Sequence, residues 1–397
     1  MFTNGKIFKT SLAVAAATMV FASSAQAQAK PESFKIGGVI SLSGPYGLLG
    51  EDMRRGVQIA IEERQGKVLG VPIEVVWEDD ETKPQPAVQK ATKLISEGSH
   101  MIFGALSSAS TLAVMNITKQ RKIPHLVTIS ADDKITVPGG SRYTFRTSNT
   151  LDMENRMALS YMQDKKLKKI YAVTADYQAT RDGWEWFKKN ATSSGAQIAG
   201  EDYTPLGNRD FSSVVDKIAK SDADGVFLAL TGSDVVTFLK QAGQVNLSKS
   251  KVIFGPVVAD ETMAAGVGPS ALGVNSGMRY HYTINNAANR KFVEAYQKKF
   301  NVFPPMAAGE AYDGMSWWLD TVEKTGVWDK EKWVDAFANS VRENSVEGKK
   351  TMRACDRQAL QVGYWGEVVQ GTPPAPALTM KITQVFPENK LFTDCKQ

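Results

Sequence analysis

Apolar runs typical of buried strands alternate with segments of helical periodicity along most of the chain, and this alternation limits the folds open to it. The first block of strand-like runs covers residues 34–42, 71–77, 101–106 and 125–129. The rhythm restarts after Arg146, with strand-like runs at residues 169–174, 197–203, 225–230 and 252–254. Parallel strands need crossover connections, which are usually helices. The sequence therefore predicts an α/β protein of two similar lobes, each a parallel sheet covered by helices on both faces.

Residues 1–27 differ from the rest of the chain and are typical of a cleavable export signal. Lys6 and Lys9 precede an apolar run at residues 12–22, and the segment ends in Ala25-Gln26-Ala27. A positive start, a short apolar core and small residues at the end are the three parts of a signal peptide. The apolar run is shorter than the roughly 20 residues that span a bilayer core. We expect cleavage after Ala27 and a periplasmic location.

The charge of the chain gives no support to a nucleic-acid partner. The 47 basic and 42 acidic residues leave a formal charge of +5, and removal of the signal lowers it by two. Blocks of five or six like charges, which mark interaction tails, are absent from the sequence. No nucleic-acid partner is expected.

Two cysteines, Cys355 and Cys395, lie close together near the end of the sequence. Disulfides persist in exported proteins, and a bridge between this pair would close a loop of about 40 residues. A metal site is the alternative, but two cysteines without nearby histidines lack the four ligands of a structural zinc site. The sequence predicts a disulfide.

Recognised catalytic patterns are missing from the sequence. The three histidines, His100, His125 and His281, are far apart, and no GxSxG, HExxH, phosphate loop or GxGxxG after a strand occurs. An exported hydrolase with Ser108 as the nucleophile is a competing interpretation, but it requires a base that the spacing does not identify. We expect a binding protein without cofactor or metal.

Small polar residues follow four of the predicted strands. They lie at residues 41–45, 107–111, 128–132 and 231–234. Ligands of open α/β sheets bind outside the carboxyl ends of the strands. The segment 108–111 also begins a predicted helix, whose free N–H groups and hydroxyls can hold an anion. These strand ends are the predicted ligand site.

A series of segments in a fixed order carries a resemblance to a known family. The segments read SLSGPYGLLGEDMRRGVQIAIEE, WEDDETKPQPAVQKATKLI, GALSSASTLAV, FRTS, and DFSSVVDKI with FLKQAGQ. Together they resemble the extracytoplasmic solute-binding proteins of the Leu/Ile/Val-binding family, the type I periplasmic binding proteins that serve ABC transporters. The likeness runs over residues 34–325.

The resemblance implies two Rossmann-like lobes that are joined by a multi-strand hinge and close on one small molecule. The chain would cross between the lobes near Arg146, Tyr280 and Arg353. The N-terminal lobe would comprise residues 34–147 and 281–353, and the C-terminal lobe residues 148–280 and 354–397. The expected partners are a small-molecule ligand and an ABC transporter permease, with the protein itself a monomer.

The resemblance also implies which residues hold the ligand. Matched position by position, Ser108 and the Ser130-Ala131 pair would bind a ligand carboxylate. The aromatic residues that surround the ligand in the amino-acid binders correspond here to Leu49, Thr180 and Thr231.

One departure from the family pattern bears on the ligand. In the amino-acid binders a Glu after an FGP-type strand end pairs with the ligand ammonium, whereas Val257 stands at that position here. Leaving an ammonium without a buried anion costs several kcal/mol, unless Asp176, Asp234 or Asp260 substitutes. Arg181, where the family usually has Gly, is a candidate second contact to the carboxylate.

The resulting hypothesis is a ligand with a carboxylate and an apolar body, such as an aromatic or a branched aliphatic acid. Related binders with a similar C-terminal segment include some that take aromatic acids. Binding of Leu, Ile or Val is the alternative, and a sensory role without transport is another that the sequence leaves open.

Overall fold

The computed structural model describes residues 1–2, 30–392 and 395. The predicted signal, residues 1–27, lies outside the described residues apart from its first two. No helix in the described part has the length and the apolar character that crossing a bilayer demands.

The first half of the chain forms a six-stranded sheet with crossover helices. Its strands are β1 Phe34–Ile40, β2 Lys67–Val68, β3 Val71–Asp79, β4 Met101–Gly104, β5 His125–Val127 and β6 Thr144–Arg146. The helices are α1 Gly47–Glu62, α2 Pro84–Ser96 and α3 Ser108–Arg121. The strand order is β2-β3-β1-β4-β5-β6, and β1 pairs in parallel with both β3 and β4. Because helices cover this sheet, central β1 is apolar and buried almost throughout.

The same strand–helix alternation is repeated in the next part of the chain. The strands are β7 Lys169–Ala175, β8 Gln197–Thr204, β9 Gly225–Ala229, β10 Val252–Gly255 and β11 Asn275–Met278. The helices are α4 Leu151–Asp164, α5 Gln178–Ser193, α6 Ser212–Lys220, α7 Ser233–Gln244 and α8 Glu261–Val267. All pairs among these five strands are parallel.

The remaining chain completes both halves of the molecule. Three helices come first, α9 Ala287–Phe300, α10 Met306–Thr325 and α11 Lys330–Ala338. The later elements are β12 Val341–Arg342, β13 Lys350–Met352, β14 Ala359–Leu360, β15 Gly363–Gln370, β16 Leu378–Phe386 and α12 Glu388–Leu391. Strands β15 and β16 form an antiparallel hairpin that extends the second sheet to the order β16-β15-β11-β10-β9-β7-β8, while β12–β14 form a small sheet of their own.

Helix α10 returns to the first sheet and packs closely against α1. A Cβ atom on Gly56 of α1 would lie 2.1 Å from the carbonyl oxygen of Ala308, so the two helix backbones approach as only a glycine allows. On the same side, the ring of Phe337 lies 5.0 Å from that of Phe145 and 5.1 Å from that of Trp318, centroid to centroid. The chain therefore forms two Rossmann-like lobes, and residues distant in sequence share the core of the first one.

The predicted disulfide is present between Cys355 and Cys395, whose Cα atoms lie 6.4 Å apart. It ties the end of the chain to the segment between β13 and β14. Both sulfurs are taken up by this bond, so neither is a thiolate ligand for a metal.

The starts of three helices could not be fixed from the sequence. Helix α3 begins at Ser108, within the segment 108–111 where a helix start is predicted, and α5 begins at Gln178. Helix α4, which begins after a Thr150 cap that accepts from Met153 N at 3.1 Å, was not among the predicted elements. The precise limits of the two lobes stay a prediction.

Candidate functional site

A cleft of about 100 Å³ opens where the strand ends of the two sheets face each other. Seven of the eight predicted ligand residues line it. They are Leu49, Ser108, Ser130, Ala131, Thr180, Thr231 and Val257. The structure thus brings together residues from both lobes that the sequence places up to about two hundred positions apart.

One polar end of the cleft is built by Ser108 and by the loop of residues 129–132, here called the strand-end loop. Ser108 is the first residue of α3, where N–H groups have no acceptor within the helix. Its Oγ accepts a hydrogen bond from Asp132 N at 3.2 Å, which leaves the hydroxyl proton free to donate. In the described part of the chain, nothing accepts from the N–H groups of Ser108 and Ala131. This group of donors suits a carboxylate.

Ser130 contributes to this end through its backbone, because its hydroxyl is used elsewhere. Ser130 Oγ donates to the carbonyl oxygens of Ala105 and Leu106 at 2.9 and 2.7 Å. It also lies 2.5 Å from Thr111 Oγ1. The hydroxyl therefore fixes the strand-end loop against the segment before α3.

Thr180 likewise presents no free hydroxyl proton. Its Oγ1 donates to the carbonyl oxygens of Ala175 and Tyr177 at 2.5 and 2.8 Å. Leu49 and Val257 also line the cleft. The positions that the resemblance matches to the aromatic and acidic side chains of the amino-acid binders therefore offer mainly apolar surface.

Arg181 is the one predicted residue that does not reach the cleft. Its guanidinium pairs with Asp176, Nη2 to Oδ1 at 2.5 Å, and stacks over the ring of Tyr203 at 4.2 Å. Asp176 lies just before α5, and Tyr203 lies on β8. The arginine that lines the cleft is Arg279.

The sequence analysis missed a buried ion pair in the cleft. Arg279 Nε lies 2.5 Å from Glu154 Oε1, and the two side chains are only 5% and 2% exposed. Arg279 Nη1 also donates to the carbonyl oxygen of Ile129 at 2.5 Å. Burial raises the pKa of Glu154, and the facing arginine opposes part of this rise. Arg279 follows β11 directly, so its position at a strand end was the available signal.

None of the three aspartates considered as substitutes for the family's glutamate lines the cleft. Asp176 pairs with Arg181. Asp234 accepts from Gly207 N at 2.9 Å. Asp260 caps α8 by accepting from Met263 N, and burial raises its pKa to about 8. Among the described residues that line the cleft, Glu154 is the only one with a carboxylate, and Arg279 pairs with it.

The two lobes touch across the mouth of the cleft. Ser233 N donates to the carbonyl oxygen of Pro45 at 3.0 Å, and the hydroxyls of Tyr46 and Tyr177 lie 3.3 Å apart. Because these contacts join the loop before α1 to the second lobe, the structure represents a closed arrangement of the lobes.

The histidines lie away from Ser108, and none of the three is in the cleft lining. His100 Nδ1 accepts from Lys35 N at 2.9 Å. His125 Nε2 lies 2.6 Å from the carbonyl oxygen of Gly104, and His281 Nε2 lies 2.7 Å from Glu261 Oε1. No histidine is thus placed to activate the Ser108 hydroxyl.

Comparison with known proteins identifies the family. The model of the periplasmic binding protein family matches residues 33–373. The Leu/Ile/Val-binding protein homolog 6 of Brucella melitensis biotype 1 is 30% identical over 321 residues, which cover 78% of this chain and 80% of that relative.

Two solved structures share the fold and more than a quarter of the sequence. The solute-binding protein of an ABC transporter from Rhodopseudomonas palustris BisB5, in complex with 3,4-dihydroxybenzoic acid, has a TM-score of 0.83 and 26% identity and covers 90% of this chain and 98% of its own. A second R. palustris solute-binding protein, in complex with benzoate, has a TM-score of 0.83 and 26% identity over 89% of this chain and 97% of its own. The chain therefore belongs to the periplasmic binding protein family and is a type I solute-binding protein of the kind that serves ABC transporters.

Proposed function

We propose that this solute-binding protein takes a small carboxylate with an apolar body, with aromatic acids of the benzoate class as the first candidates, and presents it to the permease of an ABC importer. The observation that carries the proposal is the pairing of Glu154 with Arg279. An α-amino acid needs a buried anion for its ammonium group. Glu154, the one carboxylate that the structure describes in the cleft lining, is already paired.

The shape and polarity of the cleft support the same ligand class. Donors gather at one end, around Ser108 and Ala131, and apolar side chains such as Leu49, Val257 and Trp184 contribute much of the remaining lining. Cavities on the order of 150 Å³ hold a benzene ring. A cleft of about 100 Å³ therefore suits one ring or a short branched chain. The ligands of the two R. palustris proteins, benzoate and 3,4-dihydroxybenzoic acid, have this form.

Branched-chain amino acids are the second candidate, because the relative in Brucella melitensis is named for Leu, Ile and Val. On this alternative, Glu154 would exchange Arg279 for the ligand ammonium.

Sensing without transport would use the same cleft. Co-purification with a permease would indicate transport, and co-purification with a receptor would indicate sensing.

Thermal-shift screening of the chain from residue 28 tests the ligand class. The panel contains benzoate, 4-hydroxybenzoate, 3-methylbutyrate, leucine and valine, with benzamide as a neutral control. We expect stabilisation by one or more of the three acids without an amino group. Stabilisation by leucine or valine alone would overturn the proposal.

We also infer that the ligand leaves unchanged, as in the binding proteins of this family, which are not enzymes. Proton NMR of the stabilising acid after prolonged incubation with the protein should show the intact ligand. A product that disappears in Ser108→Ala would instead support the hydrolase.

We propose that the lobes close on the ligand about the crossings near Arg146, Tyr280 and Arg353. The lobe limits at residues 34–147 with 281–353, and 148–280 with 354–397, are part of this proposal. The hydrogen bond from Ser233 N to Pro45 O is one contact that opening would break.

A further inference from the structure

Each of the four carbonyl groups of the strand-end loop accepts a hydrogen bond. Arg279 Nη1 donates to Ile129 O at 2.5 Å. Arg146 Nη1 donates to both Ser130 O and Asp132 O, at 3.2 and 2.7 Å. The carbonyl of Ala131 accepts from Leu151 N at 2.8 Å.

The direction of these carbonyls fixes the direction of the N–H groups. The loop has only trans peptide bonds, and in a trans peptide the C=O and the N–H of one unit point in opposite directions. Since Ser130 C=O points to Arg146, the N–H of Ala131 points away from Arg146. Ala131 lines the cleft, and no described residue accepts from its N–H. The arginine thus lies behind a donor that faces the ligand.

Arg146 differs from Arg279 in how its charge is balanced. Arg279 has a paired carboxylate in Glu154. Arg146 is fully buried, and its remaining N–H groups bond to uncharged oxygens, Nε to Gln358 Oε1 at 2.7 Å and Nη2 to Thr136 Oγ1 at 2.5 Å. No carboxylate in the described part of the chain forms an ion pair with it.

The charge of Arg146 persists at neutral pH. Burial lowers the pKa of its guanidinium to about 10, and the nearby Asp133 carboxylate opposes the shift. A buried cation without a direct partner creates a positive potential in its surroundings that is screened far less than at the surface. Peptide units between this cation and the cleft are polarised by it, which strengthens their N–H groups as donors to an anion.

We propose that Arg146 is a positioning and charge-selecting residue for the ligand. It acts through the Ser130–Ala131 peptide unit rather than by contact, turning the Ala131 N–H into the cleft and favouring a carboxylate over a neutral group at that end. This inference rests on the proposed function only in that the ligand carries a carboxylate. It is independent of whether the ligand is an aromatic acid or an amino acid.

The test compares an acid with its amide, which has nearly the same shape and no charge. Dissociation constants of benzoate and benzamide are measured by calorimetry for the wild type, Arg146→Gln, Arg146→Lys and the control Thr136→Val. The wild type should prefer the acid. Arg146→Gln should reduce that preference by about tenfold or more, the scale of one charge-assisted interaction. Arg146→Lys and Thr136→Val should keep most of the preference for the acid, since both variants retain a positive charge at position 146.

A charge change of opposite sign gives an independent readout. Glu154→Gln leaves Arg279 without its paired anion, so the preference for the acid over the amide should increase. A purely structural role of Arg146 would weaken acid and amide binding by the same factor, and this result would overturn the inference. So would an unchanged preference in Arg146→Gln.

A second pair of probes separates this inference from the proposed ligand. If the wild type binds leucine and not benzoate, the proposed ligand class is wrong, and leucine with leucinamide becomes the pair to measure. The same loss of acid preference in Arg146→Gln is then expected. Circular dichroism melting curves of each variant show whether it is folded. If Arg146→Gln does not fold, the neutral variant Arg146→Met takes its place, and the same loss of acid preference is expected.

Discussion

Ser108 combines three properties at one residue: it is the first residue of a helix, it lines the cleft, and its hydroxyl proton has no acceptor among the described residues. Ser108→Ala removes the hydroxyl and keeps the backbone donors. We expect the affinity for the acid to fall by about 1–3 kcal/mol, the loss typical of a hydrogen bond to a charged group. Ser107→Ala is the matched control, since Ser107 precedes the helix and does not line the cleft. Equal binding by Ser108→Ala and the wild type would remove Ser108 from the site.

Val257 determines whether the cleft can accept an ammonium group. Val257→Glu adds a carboxylate where the amino-acid binders of this family carry one. A buried carboxylate without a partner costs several kcal/mol, so benzoate affinity should fall by more than about tenfold while leucine affinity rises. The volume control is Val257→Leu, which should retain a preference for the acid. Calorimetry with both ligands on each variant measures the exchange, and a Val257→Glu protein that still prefers benzoate would contradict the assignment.

At the scale of single residues, the candidate site could be predicted only in part from the sequence. Ser108 was predictable because small polar residues follow strands and begin helices, which is a local pattern, whereas Ala131 was assigned through the family resemblance. The pair of Glu154 and Arg279 joins residues 125 positions apart, and no local pattern encodes such a contact. The engaged hydroxyls of Ser130 and Thr180 were also beyond reach, because they depend on side-chain geometry.

At the scale of elements, helices α1 and α8 meet across the closed cleft. Thr262 Oγ1 donates to Asp52 Oδ2 at 2.8 Å. Asp52 is 6% exposed. Burial raises its pKa to about 6, with the Thr262 hydrogen bond and Arg55 opposing the shift. Opening the lobes would return this carboxyl to water, where its pKa is about 3.9.

This difference makes closure sensitive to pH. A group whose pKa is raised in the closed form favours closure below its open-form pKa and loses that effect as pH rises through the closed-form value. Ligand affinity should therefore increase about tenfold between pH 7 and pH 5 through Asp52. In Asp52→Asn this contribution should disappear. Dissociation constants measured at both pH values for the two proteins test this, and parallel pH profiles would show that Asp52 is not involved.

The elements themselves were well predicted where they are long. Strand β1, Phe34–Ile40, lies in the predicted run 34–42, and strand β7, Lys169–Ala175, coincides with the predicted run 169–174. Strands β12 and β14 have two residues each, too few for any periodicity to register. Helix α4 had a usable signal in the Thr150 cap and the acids of its first turn, Asp152 and Glu154.

At the scale of the whole molecule, the disulfide joins the end of the chain to the segment between β13 and β14. Its two cysteines are 40 positions apart, and closing a loop of that length stabilises a protein by about 4 kcal/mol on the chain-entropy model. The double variant Cys355→Ala/Cys395→Ala should lose stability on that scale in urea unfolding, whereas ligand affinity should change little because neither cysteine lines the cleft. Identical unfolding midpoints would show that the tail adds no constraint.

The arrangement of the whole molecule explains why a binding site forms between the lobes. Each parallel sheet directs its strand ends and helix N-termini to one edge, and the two lobes place these edges opposite each other. The first lobe and the strand-end loop supply donors for a carboxylate, and the second lobe supplies Thr180, Val257 and the paired Arg279. The described lining of the cleft thus combines N–H and hydroxyl donors at one end with apolar side chains, and its one carboxylate, Glu154, is paired.

The preference for an acid without an ammonium group is tested most directly by calorimetry on the chain from residue 28. Benzoate is titrated into the protein first, and leucine is then titrated into the benzoate complex. We expect saturable binding of one benzoate per chain and no displacement of benzoate by leucine. Tight binding of leucine, with no heat from benzoate, would contradict this expectation.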